Sequence, residues 1–257
     1  MKFIDTHTHL FLKQFDVDID KVIEESIENN VTKFLLPNIN SSTTGSMLNL
    51  CKKYPENCYP MMGLHPCDIK SESVKKELNH VKDMLSRNLF IAVGEIGIDL
   101  YWDKTNLNDQ KQAFIYQIKL AKEYNLPIVI HVRNSFDETI KIVEKLNDEN
   151  LRGVFHCFTG DINEANRIIN LDNFYLGIGG VLTFKNSSLD KTIKNVHLKN
   201  IILETDSPFL APTPYRGKRN ESKYLINIAK KLAEIHNVSL EEIGEVTTKN
   251  ASKLFSL

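Results

Sequence analysis

Eight short apolar segments recur along the 257-residue chain, and this repeat constrains the fold more than any other feature of the sequence. Continuous apolar runs without polar alternation are typical of strands buried on both faces, as in parallel sheets. The sequence therefore favours a parallel sheet. The eight segments are residues 3–5, 33–36, 59–63, 90–94, 128–130, 153–155, 174–178 and 201–203.

Segments with helical periodicity lie between the apolar runs. Apolar residues that share one helical face occur within 19–27, 74–85, 114–121 and 225–235. Eight strand–helix units in about 250 residues predict an α/β fold of the (β/α)8 TIM-barrel type. Because no linker-like stretch interrupts the chain, we expect a single domain over residues 1–257. An open doubly wound sheet is the competing fold, but no glycine-rich phosphate fingerprint follows the first run.

The composition narrows the function classes. The formal net charge is −1. Proteins that coat long nucleic acids tend to be basic, so any contact with nucleic acid is expected to be local. The four cysteines form no Cys-x-x-Cys pair, and neither a signal peptide nor an apolar span of about 18 residues is found. We expect a cytoplasmic monomer that does not enter a membrane.

Residues that can bind a metal ion or transfer a proton follow the apolar runs. In a barrel, the carboxyl ends of all strands open onto one face, where active sites form. Seven potential ligands or acid–base groups would therefore converge there. They are His7 and His9 after the first run, His65 after the third, Glu95 after the fourth, His131, His156 and Asp206.

This set predicts a metal site. His7 and His9 are two residues apart, so on a strand both imidazoles point the same way. Imidazole with carboxylate suits Zn, Mn, Fe, Co or Ni better than Mg alone. The set without His65 still offers four histidines and two carboxylates, which are more ligands than one tetrahedral ion needs. We therefore expect two divalent ions per chain, with Glu95 as the most natural shared carboxylate.

Seven stretches together resemble a known family. They are FIDTHTHL at 3–10, GLHP at 63–66, GEIGID at 94–99, LPIVIH at 126–131, FHCFTG at 155–160, LETDSPFLAP at 203–212 and YRGKRNE at 215–221. In this order they resemble the TatD-type metal-dependent deoxyribonucleases of the amidohydrolase superfamily, over essentially the whole chain. Departures at Leu100 and Ser222, where the family often has Tyr and Pro, touch no ligand position.

The resemblance implies a ligand set and an activity. One ion would take His7, His9, Glu95 and Asp206, and the second would take Glu95, His131 and His156. The implied activity is exonuclease action on DNA, at the 3′ end, by a metal-activated water.

Catalytic roles are expected for Glu95, for Asp206 and for His65. Asp206 is both a ligand and the natural proton acceptor from the attacking water. His65 matches no required ligand position, so we expect it to hold phosphate or assist the leaving group, or else to be a packed histidine.

Basic residues near the strand ends indicate a phosphate-binding side. Arg133 lies two residues beyond His131, and loops after strands seven and eight are frequent phosphate sites in barrels. We expect substrate contacts from His65 and from these cations. The basic residues are Arg133, Arg216, Lys218 and Arg219.

The roles of several neighbouring residues stay open. Tyr101, Trp102 and Phe209 would stack a terminal base or only pack at the rim. Asp99 and Glu204 would orient metal ligands or only pair with nearby cations.

Two other functions remain open. Metal hydroxide also attacks carbonyl centres, so the substrate would instead be another ester, an amide, a lactone or aminoacyl-tRNA. A partner-binding scaffold barrel is the third hypothesis, which the complete ligand set disfavours.

Overall fold

Eight parallel strands alternate with helices in the computed structural model, which describes residues 2–257. This confirms the predicted α/β barrel. The strands are β1 Phe3–Asp5, β2 Val31–Pro37, β3 Cys58–Met61, β4 Val93–Asp99, β5 Ile128–Arg133, β6 Gly153–Phe155, β7 Phe174–Ile178 and β8 Ile201–Leu203.

Nine α-helices occur among the described residues. The predicted helical segments correspond to α1, α3, α4 and α8, whereas α9 lies beyond the eight strand–helix units. The helices are α1 Ile19–Glu28, α2 Thr44–Lys53, α3 Val74–Leu85, α4 Leu107–Glu123, α5 Phe136–Leu146, α6 Ile162–Ile169, α7 Leu189–Ile193, α8 Leu225–His236 and α9 Leu240–Phe255.

The strands close into a ring in chain order. Neighbouring strands pair in parallel within β1–β3 and within β4–β8. Two isolated parallel bridges join these groups, Met62 with Val93 and Thr8 with Ser207. Because every strand runs in the same direction, all carboxyl ends lie at one face, which we call the mouth.

Strands β4 and β5 extend beyond their apolar runs into the polar motifs. β4 begins at Val93 and continues to Asp99, and β5 continues to Arg133. Glu95 and His131 therefore lie within strands rather than just after them. Their side chains meet at the mouth, where Glu95 Oε1 and His131 Nδ1 are 2.7 Å apart.

Helix α9 closes the opposite end of the barrel. Asn250 Nδ2 donates to the carbonyls of Leu198 and Ile201, and Thr248 Oγ1 donates to that of Lys2, all near the amino ends of strands. The side chains of Leu254 and Phe255 join the apolar layer inside the barrel. This inner layer comprises Ile4, Leu35, Met61, Ala92, Val129, Val154, Ile202, Ala251, Leu254 and Phe255.

Within residues 2–257, no helix combines the length and the apolar character needed to cross a membrane.

Replacing Leu254 by Ala should destabilise the barrel, since the residue is buried against the inner layer. We expect a loss of about 2–5 kcal/mol in the free energy of unfolding, measured by urea titration. Lys253→Ala on the exposed side of α9 is the matched control and should change it by less than about 0.5 kcal/mol. Equal effects of the two substitutions would contradict the conclusion that α9 closes this end of the barrel by packing Leu254 into it.

Candidate active site at the mouth of the barrel

The mouth gathers all seven polar residues that follow or end the strands. Glu95 lies at the centre with its side chain 3% exposed. Each of its two carboxylate oxygens faces a different group of histidines. Glu95 Oε2 lies 3.1 Å from His7 Nε2 and 3.5 Å from His9 Nε2.

The other oxygen, Glu95 Oε1, faces the second group. It lies 2.7 Å from His131 Nδ1, 2.9 Å from His156 Nε2 and 3.2 Å from His65 Nε2. One buried carboxylate thus stands between two sets of imidazoles. This is the arrangement of a carboxylate shared by two ligand groups.

Asp99 determines which ring nitrogen of neutral His131 carries the proton and which one is left to bind a metal ion. Asp99 Oδ2 lies 2.9 Å from His131 Nε2, and Asp99 Oδ1 accepts backbone hydrogen bonds from Tyr101 and Trp102. Burial alone would raise the pKa of Asp99, but these contacts outweigh it and lower the pKa. An ionised carboxylate only accepts, and each ring nitrogen of His131 faces one, so these contacts outweigh burial and raise the pKa of the ring. In the neutral ring that a metal ion requires, Asp99 favours the proton on Nε2. The Nδ1 lone pair is then directed at Glu95.

Glu204 lies behind His156, at ion-pair distance but without the hydrogen-bond geometry that Asp99 has with His131. Glu204 Oε1 lies 3.3 Å from His156 Nδ1 and accepts a 2.6 Å hydrogen bond from the Cys157 backbone N–H. Its negative charge favours the ring proton on Nδ1 and leaves the Nε2 lone pair facing Glu95. Gly177 makes room for this carboxylate, because an added Cβ would lie 2.3 Å from Glu204 Oε2.

The neutral ring of His65 carries its proton on the nitrogen that faces Glu95, unlike the neutral rings of His131 and His156. Its Nδ1 accepts a 3.1 Å hydrogen bond from the Cys67 backbone N–H. A ring nitrogen that accepts has no proton, so the neutral ring carries its proton on Nε2. Burial lowers the pKa of His65, which favours this neutral form. His65 therefore presents an N–H donor toward Glu95 Oε1, whereas His131 and His156 present lone pairs.

Asp206 completes the side of the site near β1. Its Oδ1 lies 3.5 Å from His9 Nε2 and 3.8 Å from His7 Nε2. The residue adopts a left-handed backbone conformation with φ of 57°, and its N–H donates to the His7 carbonyl at 2.9 Å. Aspartate is among the non-glycine residues that enter this region most readily. The conformation turns the carboxylate of the β8 loop toward the two histidines of the β1 end.

A buried carboxylate that the sequence analysis did not assign lies beneath Asp206. Asp5 accepts hydrogen bonds from the Thr205 N–H, the Thr205 hydroxyl and the Ser222 hydroxyl. Burial raises the pKa of Asp5 to about 7, although these hydrogen bonds oppose the shift. Asp5 thereby joins β1 to the segment that carries Asp206. Its sequence signal is an acidic residue directly after two buried apolar ones.

The pKa values of Glu95 and its neighbouring histidines determine which of these groups can bind a metal ion without losing a proton. Burial alone would raise the pKa of Glu95, but the neighbouring histidines, led by His156 and His65, outweigh it, and the pKa lies well below the ordinary value. Burial, followed by the charge of His156, lowers the pKa of His7. Burial alone would lower the pKa of His131 and of His156, but contacts with Glu95 and other carboxylates outweigh it and raise both. A metal ion binds the deprotonated imidazole, so metal binding would displace the protons of these two rings.

The donor set fits divalent cations. In the neutral rings, the lone pairs of His131 Nδ1 and His156 Nε2 are 3.4 Å apart, and both face Glu95 Oε1. Three such acceptors repel one another, so protons or a metal ion must lie among them. Within residues 2–257, three groups of potential ligands have donor atoms close enough to bind one ion. They are His7, His9 and Glu95; His7, His156 and Asp206; and His65, Glu95 and His131.

The four basic residues predicted for substrate binding differ in their contacts. Arg219 donates to Asp18, to Glu221 and to the carbonyl of Gln14. These contacts favour a role in joining the β8 loop to the start of α1. In contrast, within residues 2–257 no carboxylate oxygen lies within 4.0 Å of the charged nitrogens of Arg133, Arg216 and Lys218.

Aromatic rings support the two free arginines. The Arg133 guanidinium carbon lies 3.8 Å from the ring centroid of Tyr101, and that of Arg216 lies 3.6 Å from the centroid of Phe184. Trp102 and Phe209 are also exposed at the mouth, by 71% and 48%. Stacked cations and exposed rings thus surround the metal-ligand cluster.

A cavity of about 600 Å³ opens beside the cluster. It lies between the loops that follow β5 and β6, and His156 and Cys157 are among its lining residues. Four carboxylates also line it, so the cavity does not itself favour an anion; they are Asp137, Glu138, Asp161 and Glu164. Its size is in the range of small-ligand sites.

Comparison with known proteins identifies the family of the chain. A family model described as TatD related DNase matches residues 4–256. YabD of Bacillus subtilis, an uncharacterized metal-dependent hydrolase, is 37% identical over 254 residues, which cover 98% of each chain. YcfH of Escherichia coli K12, described in the same words, is 30% identical over 263 residues, which cover 100% of this chain and 97% of YcfH.

Solved structures show the same fold. YJJV, a TatD homologue from Escherichia coli K12, matches with a TM-score of 0.92 at 28% identity, over 99% of this chain and 98% of its own. A TatD family hydrolase from Entamoeba histolytica matches with a TM-score of 0.87 at 21% identity, over 99% and 98%. The chain therefore belongs to the TatD family, and it is a metal-dependent hydrolase built on a TIM barrel.

Proposed function

We propose that this protein is a two-metal phosphodiesterase that removes nucleotides from the 3′ end of DNA. The observation that carries the proposal is the division of the Glu95 carboxylate between two sets of histidines. His7, His9 and Asp206 would hold one ion with Glu95 Oε2, and His131 and His156 would hold the other with Glu95 Oε1. When bound, such ions activate water and polarise a phosphoryl oxygen.

Asp206 is the proton acceptor in this proposal. Burial alone would raise the pKa of Asp206, but the hydrogen bond from His9 and the charge of His156 outweigh it and lower the pKa. The carboxylate is therefore ionised and able to take a proton at an oxygen that faces the site. Its left-handed backbone holds that oxygen in place.

His65 acts on the substrate rather than as a ligand. Because the Cys67 N–H occupies Nδ1, the proton lies on Nε2, which faces Glu95 Oε1 at 3.2 Å. Once Glu95 bound metal, this N–H would donate instead to a phosphoryl or leaving-group oxygen. A neutral donor of this kind stabilises negative charge that develops on oxygen in the transition state.

Unpaired cations favour phosphate over carbonyl substrates. Arg133, Arg216 and Lys218 are exposed, and a guanidinium binds phosphate through paired N–H donors. A second candidate is hydrolysis of another ester or amide, such as aminoacyl-tRNA, because the ligand cluster itself does not distinguish phosphoryl from carbonyl centres.

Purified protein supplied with Mn²⁺, Mg²⁺ or Zn²⁺ should shorten a 5′-labelled single-stranded DNA to a ladder of products. The same DNA with phosphorothioate linkages at its 3′ end should be shortened much more slowly, since attack begins there. Intact DNA with every metal, together with cleavage of a carboxylic ester, would replace the proposed function by the second candidate.

Replacing Glu95 by Gln should remove most of the activity, because the amide lacks the charge that two cations share. We expect a loss of about a hundredfold or more in kcat. Replacing residues that only hydrogen-bond to a metal ligand already costs about 10- to 100-fold in activity. Metal content by elemental analysis should fall as well. Glu72→Gln on an exposed surface is the control. An active Glu95→Gln variant with full metal content would contradict the shared-ligand role.

Replacing His131 and His65 by Gln should have different effects on metal content. His131→Gln removes a lone pair aimed at the centre, so we expect a loss of about one ion per chain. His65→Gln should retain the metal and lower kcat by about 10²–10³, the cost of one donor to developing charge. Elemental analysis of folded protein, verified by circular dichroism, separates the two. A His65 variant that loses as much metal as the His131 variant would show that His65 is a ligand.

A further inference from the structure

Arg133, Tyr101 and Trp102 form one exposed unit at the mouth. The Arg133 guanidinium lies 3.8 Å from the Tyr101 ring centroid and 5.5 Å from that of Trp102. The two rings meet edge to face at 4.9 Å, and they are 53% and 71% exposed. Adjacent exposed aromatics are unusual on a surface that binds nothing, so the unit is a candidate binding surface.

Stacking prepares the Arg133 guanidinium for an anion. A ring beneath its flat face restricts the side chain and leaves the N–H donors at its edge free. Within residues 2–257, no carboxylate competes for those donors. A planar fork of N–H groups matches two oxygens of a phosphate.

The backbone fixes Arg133 relative to the metal-ligand cluster. Arg133 ends β5, pairs in register with Asp99 of β4, and its carbonyl accepts a 2.9 Å hydrogen bond from Leu100 N–H. It lies two residues beyond His131 on the same strand, a rise of about 7 Å. Residues two apart on a strand point to the same side. Arg133 is therefore placed beyond the reacting phosphate, on the scale of one nucleotide step.

We propose that Arg133 binds the phosphate next to the scissile one in a nucleic-acid strand, and that Tyr101 is a positioning residue that holds the guanidinium for it. This inference rests on the proposed phosphodiesterase function and names a specificity contact within it. A substrate with a single phosphodiester would not reach Arg133. The contact thus selects strands over small diesters.

The kinetic test uses short oligothymidylates that carry one uncharged methylphosphonate. Placed next to the terminal linkage, it should raise the KM of the unmodified protein about 10- to 100-fold, the value of a charged hydrogen-bonded pair. Placed several linkages away, it should have little effect. Arg133→Gln should raise the KM for unmodified oligothymidylate by a similar factor and should no longer distinguish the two positions, with kcat retained.

Variants of the neighbouring ring and a distant arginine serve as controls. Tyr101→Leu should weaken binding about two- to fivefold, and Tyr101→Phe should restore it, because the ring alone supports the cation. Arg152→Gln, at the amino end of β6, should match the unmodified protein. Equal sensitivity of the unmodified and Arg133→Gln proteins to the neighbouring methylphosphonate would overturn the proposal, as would an unmodified protein insensitive to it.

A binding test separates this inference from the proposed chemistry. Trp102 is the single tryptophan of the chain, so its fluorescence reports on this unit. Tetrathymidylate added to protein in EDTA should change that fluorescence, and Arg133→Gln should weaken the titration about tenfold or more. Such binding without cleavage under any metal would sink the phosphodiesterase proposal but not the contact. No fluorescence change at millimolar tetrathymidylate would overturn the contact.

Discussion

The carboxylate of Glu95 is the interaction on which the rest of the site depends. It is buried and ionised, and its two oxygens face opposite groups of imidazoles. A buried carboxylate is stable only where positive charge or hydrogen-bond donors surround it. The barrel satisfies this need by directing ligands from several strands to one face. A metal ion fits this arrangement, because the ring nitrogens of His131 and His156 that face Glu95 can exchange their protons for it.

Each histidine contacts Glu95 through one ring nitrogen, and the partner of its other nitrogen determines where the ring carries its proton. Asp99 and Glu204 stand behind His131 and His156 and favour protons on the outer nitrogens. A backbone N–H stands behind His65 and favours a proton on the inner nitrogen. In the proposed function, these three histidines divide into two ligands and one donor. The same residue type would then serve metal binding and substrate binding through a change of one hydrogen-bond partner.

Much of this site could be predicted from the sequence, because parallel strands bring their carboxyl ends together whatever the details of packing. That rule placed His7 with Glu95 and Asp206. The sequence did not determine the ring protons, which depend on partners such as Asp99, 32 positions from His131. Nor did it reveal that Arg219 pairs with Asp18, 201 positions away. Such long-range pairings follow from the assembled barrel and leave no local pattern.

Electron paramagnetic resonance of Mn²⁺ titrated into the metal-free protein tests the shared carboxylate most directly. Two ions bound to one carboxylate interact magnetically. The account predicts that the spectrum of an exchange-coupled pair develops as loading approaches two ions per chain, and that Glu95→Gln abolishes it. A six-line spectrum of isolated Mn²⁺ at every loading would contradict the central claim.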